Sequence, residues 1–246
     1  MYRTENKDTE IMGEISLSFG SPLKSCIFKK RNNRFTAEII IDNEVFFAHV
    51  PSSGRMKELL FPGAEVFAVE VRSLKRKLPY KLVAVKSGVE LVCIDSLMPN
   101  RLIKLALENK ALPEFYHYNK VAAESILGDS RFDFYLEKDK FDRCFIEVKS
   151  VTLVENGTAL FPDAPSKRAR KHLEELLKIK EVGFRSCVIF VIQRNDAEIF
   201  KPNVLQDKEF AELLKKVHSL GVELIAFDCV VSTDKITLNK RIPVKI

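Results

Sequence analysis

An acid and a base two residues apart inside an apolar run are the first feature of this chain that could do chemistry. In "CFIEVKSVTL", residues 144–153, Glu147 and Lys149 sit among Phe145, Ile146, Val148, Val151 and Thr152, types that favour buried strands. Side chains alternate along a strand, so Glu147 and Lys149 leave from one face. Upstream, "RFDFYL" sets Asp133 between two phenylalanines. A short turn over 138–142 would bring Asp133 beside Glu147. Two carboxylates in a partly apolar setting repel each other, and a hard divalent cation, Mg²⁺ or Mn²⁺, is the simplest remedy. Such an ion lowers the pKa of bound water and stabilises charge on a phosphodiester under attack; a lysine can orient that water or neutralise the phosphate. The spacing has a second reading, a Glu147–Lys149 ion pair at a sheet end, since Glu-x-Lys also occurs at 5–7 and 108–110.

The cations that could accompany such a site are clustered. In "FPDAPSKRARKHLEELL", Pro165 suits the first turn of a helix and Asp163 its cap. Lys167, Arg168, Arg170 and Lys171 crowd that helix's start, where the dipole is already positive. That arrangement suits a docking phosphate, with a solvated basic face as the plainer alternative. His172, next along, faces either the site or solvent. In the first half, the stretch between Glu14 and Glu38 holds five basic residues and no acid, Arg31 and Arg34 among them. "HVPSSGRMKELL" adds a polar loop with His49, Ser52, Ser53 and Arg55, where Gly54 permits unusual dihedrals. "RSLKRK" at 72–77 reads as a basic hairpin tip. With a net charge of +6 shared equally on either side of Pro99, these clusters favour nucleic acid.

The elements that must position these groups fall into two patterns. The 246 residues allow one large domain or two of ordinary size. The first twenty are polar and aperiodic and predict a loose arm. From Leu23 to Val92 short strands alternate with turns, and "RMKELL" is the one candidate helix, which predicts a small barrel or sandwich. Pro99-Asn100 marks a change, with Asn100 capping a helix through Lys110. Residues 111–130 stay unassigned. Strands at 131–137, 143–154, 185–193 and 222–231 then alternate with helices at about 165–180 and 208–219, capped by Asp207 and stopped by Gly221. That order predicts a mixed α/β domain with a three-layer tendency.

Other chemistries find little support. GxSxG, Walker and GxGxxG motifs are absent, and the four histidines lack zinc-ligand spacing. The five cysteines include no CxxC and read as buried thiols in a reducing, cytoplasmic compartment. No apolar run is long enough to span a membrane, and the N-terminus lacks a secretion signal.

Taken together, "RNNRF", "HVPSSGRMKELLFPG", "PNRL", "GDSRFDFYL", "IEVKSVTL", "FPDAPSKRARKHLEEL" and "VIQRNDAEIFKPN" resemble the sugar fermentation stimulation protein (SfsA) family. The resemblance implies an OB-like β-barrel (21–95) after an N-terminal extension (1–20), joined to a restriction-endonuclease-like PD-(D/E)XK domain with a mixed sheet (96–246). It also implies DNA binding and a link to regulation of sugar utilisation, notably maltose. Asp133, Glu147 and Lys149 fall on the PD-(D/E)XK motif, the first two as metal ligands. Glu124 falls on an acid often found upstream, and Gln193 where such nucleases place another polar group. This chain departs from the family in having Ser52-Ser53 for Asn-Thr, and Ser166 and Ala169 for Thr and Gly. The expectation is a DNA-binding protein with a Mg²⁺-dependent phosphodiesterase site. Arg31, Arg34, His49, Ser53, Arg55 and the 167–171 cluster would contact DNA. A non-catalytic DNA-binding regulator that retains the fold is the alternative, and a module with plain surface charge is a third. Duplex or single strand, and monomer or homo-oligomer, stay open.

Overall fold

The computed structural model describes residues 10–71, 78–127 and 130–246, so the basic tip expected at 72–77 lies outside the described residues. The first half comprises β1 (Ile15–Ser18), β2 (Lys24–Asn33), β3 (Thr36–Ile41), β4 (Glu44–His49), β5 (Glu65–Glu70), β6 (Tyr80–Ser87) and β7 (Glu90–Cys93). β2 to β7 form one sheet in the order β4-β3-β2-β5-β6-β7. β4 also pairs parallel with β6 through Ala48–Tyr80 and His49–Lys81, which closes five strands into a barrel. The β3–β4 hairpin turns on Asp42 and Asn43 at φ 51° and 65°, the left-handed pair that a two-residue hairpin loop requires. Phe28, Ile39, Val66 and Leu82 fill the interior. "RMKELL" forms no helix: Met56 has φ 46°, and the amides of Leu59 and Leu60 both return to its carbonyl as a turn.

The second half runs α1 (Met98–Glu108), a 3₁₀ turn (Pro113–Phe115), β8 (Lys120–Leu127), β9 (Ser130–Glu137), β10 (Arg143–Val151), β11 (Leu153–Glu155), β12 (Thr158–Phe161), α2 (Lys167–Glu181), β13 (Arg185–Ile192), β14 (Ile199–Pro202), α3 (Lys208–Ser219), β15 (Glu223–Val231) and β16 (Lys235–Arg241). Its main sheet has the order β1-β16-β15-β13-β10-β9-β8. β10, β13 and β15 are parallel, and the outer pairings are antiparallel. α1 covers one face over Ile146, Ile189 and Phe227; α2 and α3 cover the other over Phe190 and Ala226. Three layers result, as strands buried on both faces demand.

Two sequence expectations change here. The loose arm is not loose over Ile15–Ser18, which pairs with β16 as the sheet's edge strand and buries Ile15. The alternation of Ile15 and Leu17 was enough to recruit it once β16 offered a free edge. Asn100 does not cap α1; it is the third helical residue, and its side chain is committed elsewhere.

α2 is capped by Ser166, whose hydroxyl accepts the Ala169 amide at 3.1 Å, and not by Asp163. α3 starts on Asp207 as expected. Asp207 takes the Phe210 amide (3.0 Å), the Ser166 amide (2.8 Å) and the Arg170 guanidinium (2.6 and 2.7 Å), so one carboxylate ties the starts of both helices together. Asp207→Ala removes a cap and leaves Arg170 and the Ser166 amide unmatched. It is expected to cost about 3 kcal/mol. A thermal melt checks this, and an unchanged midpoint would show that the tie contributes nothing.

Candidate active site

The β9–β10 ladder builds the site by ending early. Its pairs run from Arg143–Glu137 to Ile146–Phe134, and the next opposition would be Glu147 with Asp133. There the Asp133 side chain replaces the strand: Oδ2 accepts the Val148 amide at 2.8 Å, and Oδ1 accepts from Asn100 Nδ2 at 2.7 Å. Asp133 is thus fixed by the backbone of β10 and by α1. Val148 packs into the α1-side core, so Glu147 and Lys149 point to the α2 side. They are 4% and 8% exposed, which makes their pairing obligatory. Lys149 Nζ donates to Glu147 Oε1 at 2.6 Å, and His172 Nδ1 of α2 is hydrogen-bonded to the same oxygen. Lys149 Nζ also lies 3.2 Å from His172 Nδ1, and Arg168 Nε lies 3.5 Å from His172 Nε2.

The two carboxylates are driven in opposite directions. Burial, then the neighbouring Glu147 charge, pushes the Asp133 carboxyl above its ordinary range. Burial pushes Glu147 up as well, but the hydrogen bonds and charges of His172 and Lys149 outweigh it and hold Glu147 below its ordinary range. Such divergence between adjacent acids is common where protons or cations are handled. Lys149 and His172 both converge on Oε1, and among the described residues Oε2 accepts no hydrogen bond. Oε2 and the Asp133 oxygens are the hard donors a divalent cation could take. Among the described residues no three His, Cys, Asp or Glu side chains gather into a ready cage. The donor chemistry therefore fits an ion that keeps most of its water or takes phosphate oxygens.

The remaining candidates are distributed as follows. Glu124 stands opposite Asp133 in the β8–β9 register, but at φ 54° its exposed carboxylate pairs with Arg131 at 2.5 Å instead of joining Glu147. Gln193 is buried beyond the end of β13 and donates to Ser150 Oγ at 2.9 Å, on the face of β10 away from Glu147; its Oε1 has no partner among the described residues. Arg31 is not a free DNA contact. Its guanidinium donates to the carbonyls of Gly54 (2.7 Å), Arg55 (3.1 Å), Arg34 (2.5 Å) and Ser52 (2.8 Å), stapling the 52–55 loop to β2. Arg170 is likewise committed, to Asp207 and Glu209. Arg34, Ser53, Arg55, Lys167, Arg168 and Lys171 are exposed, Lys171 beside Glu175 at 3.5 Å, and His49 is half-buried.

Gly54 is needed for space and not for its dihedrals: a Cβ there would lie 2.9 Å from Asp163 Oδ2, which accepts the Arg55 amide at 2.8 Å. The barrel loop is thereby moored to the segment that leads into α2. Sequence reasoning missed Asn100, read as a cap, and left His172 undecided. The available signal for His172 was its place beside Leu173 and three residues after Ala169, at the edge of the buried α2 stripe.

Comparison with known proteins bears on all of this. Residues 97–235 match the family model described as the sugar fermentation stimulation protein RE domain, and residues 30–94 match the SfsA N-terminal OB domain. A sugar fermentation stimulation protein homolog of Desulforamulus reducens is 46% identical over 224 residues, 91% of this chain and 93% of the relative. One from Clostridium perfringens is 38% identical over 228 residues, 93% and 99% of the two chains. A solved structure of Pyrococcus furiosus SfsA in complex with Ca²⁺ superposes with TM-score 0.85 at 29% identity, covering 96% of this chain and 99% of that one.

Proposed function

The chain belongs to the sugar fermentation stimulation protein family, and from that premise we propose that it binds DNA and hydrolyses phosphodiester bonds with a divalent cation, Mg²⁺ or Mn²⁺. The observation that carries this reading is the apposition of Asp133 and Glu147, fixed by β10 and α1, with Lys149 on the same face. The Ca²⁺ held by the Pyrococcus relative supports a cation site in the family. Asp133, Glu147 and Lys149 match the Asp…Glu-x-Lys pattern of the PD-(D/E)XK nucleases, and the first two would hold the cation. When bound, such an ion supplies acidified water and neutralises the phosphoryl charge. Lys149, anchored on Glu147, sits where it can orient a water or meet a phosphate oxygen. Asn100 and the Val148 amide keep Asp133 aimed. The exposed Lys167 and Arg168 at the positive end of α2 receive the DNA backbone.

No helix among the described residues is long and apolar enough to cross a membrane, and all five cysteines are free and buried, as suits the cytoplasmic setting we assign. The relatives' name and the family resemblance suggest that the DNA it acts on bears on sugar utilisation.

A second reading is favoured by one observation. Asn100 and the Val148 amide hold both Asp133 oxygens, and Lys149 and His172 hold Glu147 Oε1, so the pocket is braced as a scaffold that suits a DNA-binding regulator. Purified chain incubated with single-stranded, duplex and nicked DNA and Mg²⁺ or Mn²⁺, beside Glu147→Ala, separates the two. Cleavage that disappears in the variant supports hydrolysis. Cleavage shared by both proteins, or none on any substrate with binding intact, supports the regulator.

A further inference from the structure

The barrel's outer surface carries a feature that the α2 site does not use. β4 alternates, with Ala48 inward and Val45, Phe47 and His49 outward. Phe47 is 47% exposed and Phe35, from the turn before β3, is 48% exposed. Phe35 and His49 stack with ring centroids 6.4 Å apart and planes within 30°. His49 and Phe47, two residues apart on one strand face, continue the row. On its far side His49 helps line a pocket of about 340 Å³ at the β4–β6 seam, with Lys81 opposite and Val71, Leu78 and Leu97 as apolar wall.

The charges beside this row are unbalanced toward positive. Glu38 faces Phe47 across the β3–β4 ladder, but it is already held by Lys29 (3.0 Å), Lys30 (3.1 Å) and Asn32 (3.0 Å). Arg34 is exposed next to Phe35. Half-exposed rings interleaved with cations are costly as idle surface, and they match a strand with phosphates on its edge and π-faces inside. A protein-binding face would be depleted of lysine at its centre. The rings themselves choose between forms of DNA: a side chain on the surface can stack only on a base that has left its duplex stack, so half-exposed rings beside cations select an unpaired strand.

We propose that this face seats single-stranded DNA, with Phe47, His49 and Phe35 stacking successive bases and the seam pocket receiving one splayed base. The proposal rests on the DNA reading above and adds to it the form of the substrate. The pocket is near the lower end of the range for small-ligand sites, about 300–1,000 Å³, and suits a nucleoside.

The test is fluorescence anisotropy on the full chain in EDTA, which prevents cleavage, with a labelled single-stranded oligonucleotide and a blunt duplex of equal length. Phe35→Ala/Phe47→Ala should lose about tenfold in single-strand affinity per ring, about a hundredfold together, with duplex affinity unchanged and a cooperative melt retained. An abasic position walked along the oligonucleotide should weaken wild-type binding most at one site. Equal single-strand affinity in wild type and variant overturns the proposal. So does a concentration-dependent dimer that the double substitution dissolves without touching DNA binding. If the wild-type chain binds neither DNA, the proposal and the function above fail together. Ring-dependent single-strand binding here, with no cleavage in the Mg²⁺ or Mn²⁺ incubation above, supports the proposal and removes only the hydrolytic reading.

Discussion

Lys149→Ala is expected to cost about 3 kcal/mol, a fall of about 6–12 °C in thermal midpoint for a chain of this size. The reason is the carboxylate left behind. Glu147 is 4% exposed, and its companion His172 contacts the same oxygen without replacing an ammonium 2.6 Å away. The loss should depend on pH with a definite sign. Glu147 is held below its ordinary value of 4.5, so the stability it contributes is full above that value and is lost as pH falls through the depressed folded one. The gap between wild type and Lys149→Ala therefore narrows in acid. Adding Glu147→Gln to Lys149→Ala should restore part of the loss at neutral pH, because no buried charge then lacks a partner. A Lys149→Ala midpoint indistinguishable from wild type would mean that the pair is solvated. DNA cleavage by Lys149→Ala should fall by at least about a hundredfold.

Asp133→Asn should do the opposite to stability and the same to function. Burial and the Glu147 charge raise the Asp133 carboxyl above its ordinary value of 3.8, so ionising it costs the folded state free energy. That cost is absent below the ordinary value and fully present above the raised one. The isosteric amide removes it while still offering an oxygen to the Val148 amide, and Asn100 can turn its own amide to match. At neutral pH the variant should gain about 1 kcal/mol, about 2–4 °C, while cleavage falls at least about a hundredfold. The thermal shift produced by added Mg²⁺ or Ca²⁺ should vanish with it. Melts from acid to neutral pH, with and without cation, read all three effects. A variant less stable than wild type at neutral pH, with its cation response intact, would remove Asp133 from the site.

This combination describes a site that strains the fold around it. Asp133 is placed at the end of a ladder where a backbone pair would otherwise form, and its charge is tolerated because α1 and β10 supply donors. Lys149 and His172 share one oxygen of Glu147 and leave the other free of donors among the described residues. A cation would relieve the repulsion between the carboxylates.

Local pattern reached a good part of this. Alternation in "CFIEVKSVTL" put Glu147 and Lys149 on one face, and β10 keeps them there. Turn chemistry at Asp42-Asn43, the cap at Asp207 and the apolar stripes of α2 and α3 each depend on residues close in sequence. Strand and helix order reached a small barrel or sandwich and a mixed three-layer sheet, while the OB-like form of the barrel came from the family resemblance. Other features depend on partners far along the chain. Ile15–Ser18 is a strand because β16, more than two hundred residues later, needs an edge partner. Asn100 points at Asp133 because α1 lies across that face of the sheet, and a capping rule that sees only neighbours assigns it to the wrong task. Arg31 looked like a phosphate contact by its charge, yet four loop carbonyls converge on it only once the barrel closes. Residue type and period thus fixed which groups carry charge and which face they leave from. Which charges are already neutralised, and which remain available to a cation or a phosphate, was decided by tertiary packing, because the free energy of a charge depends on burial and on neighbours that folding alone brings within a few ångströms.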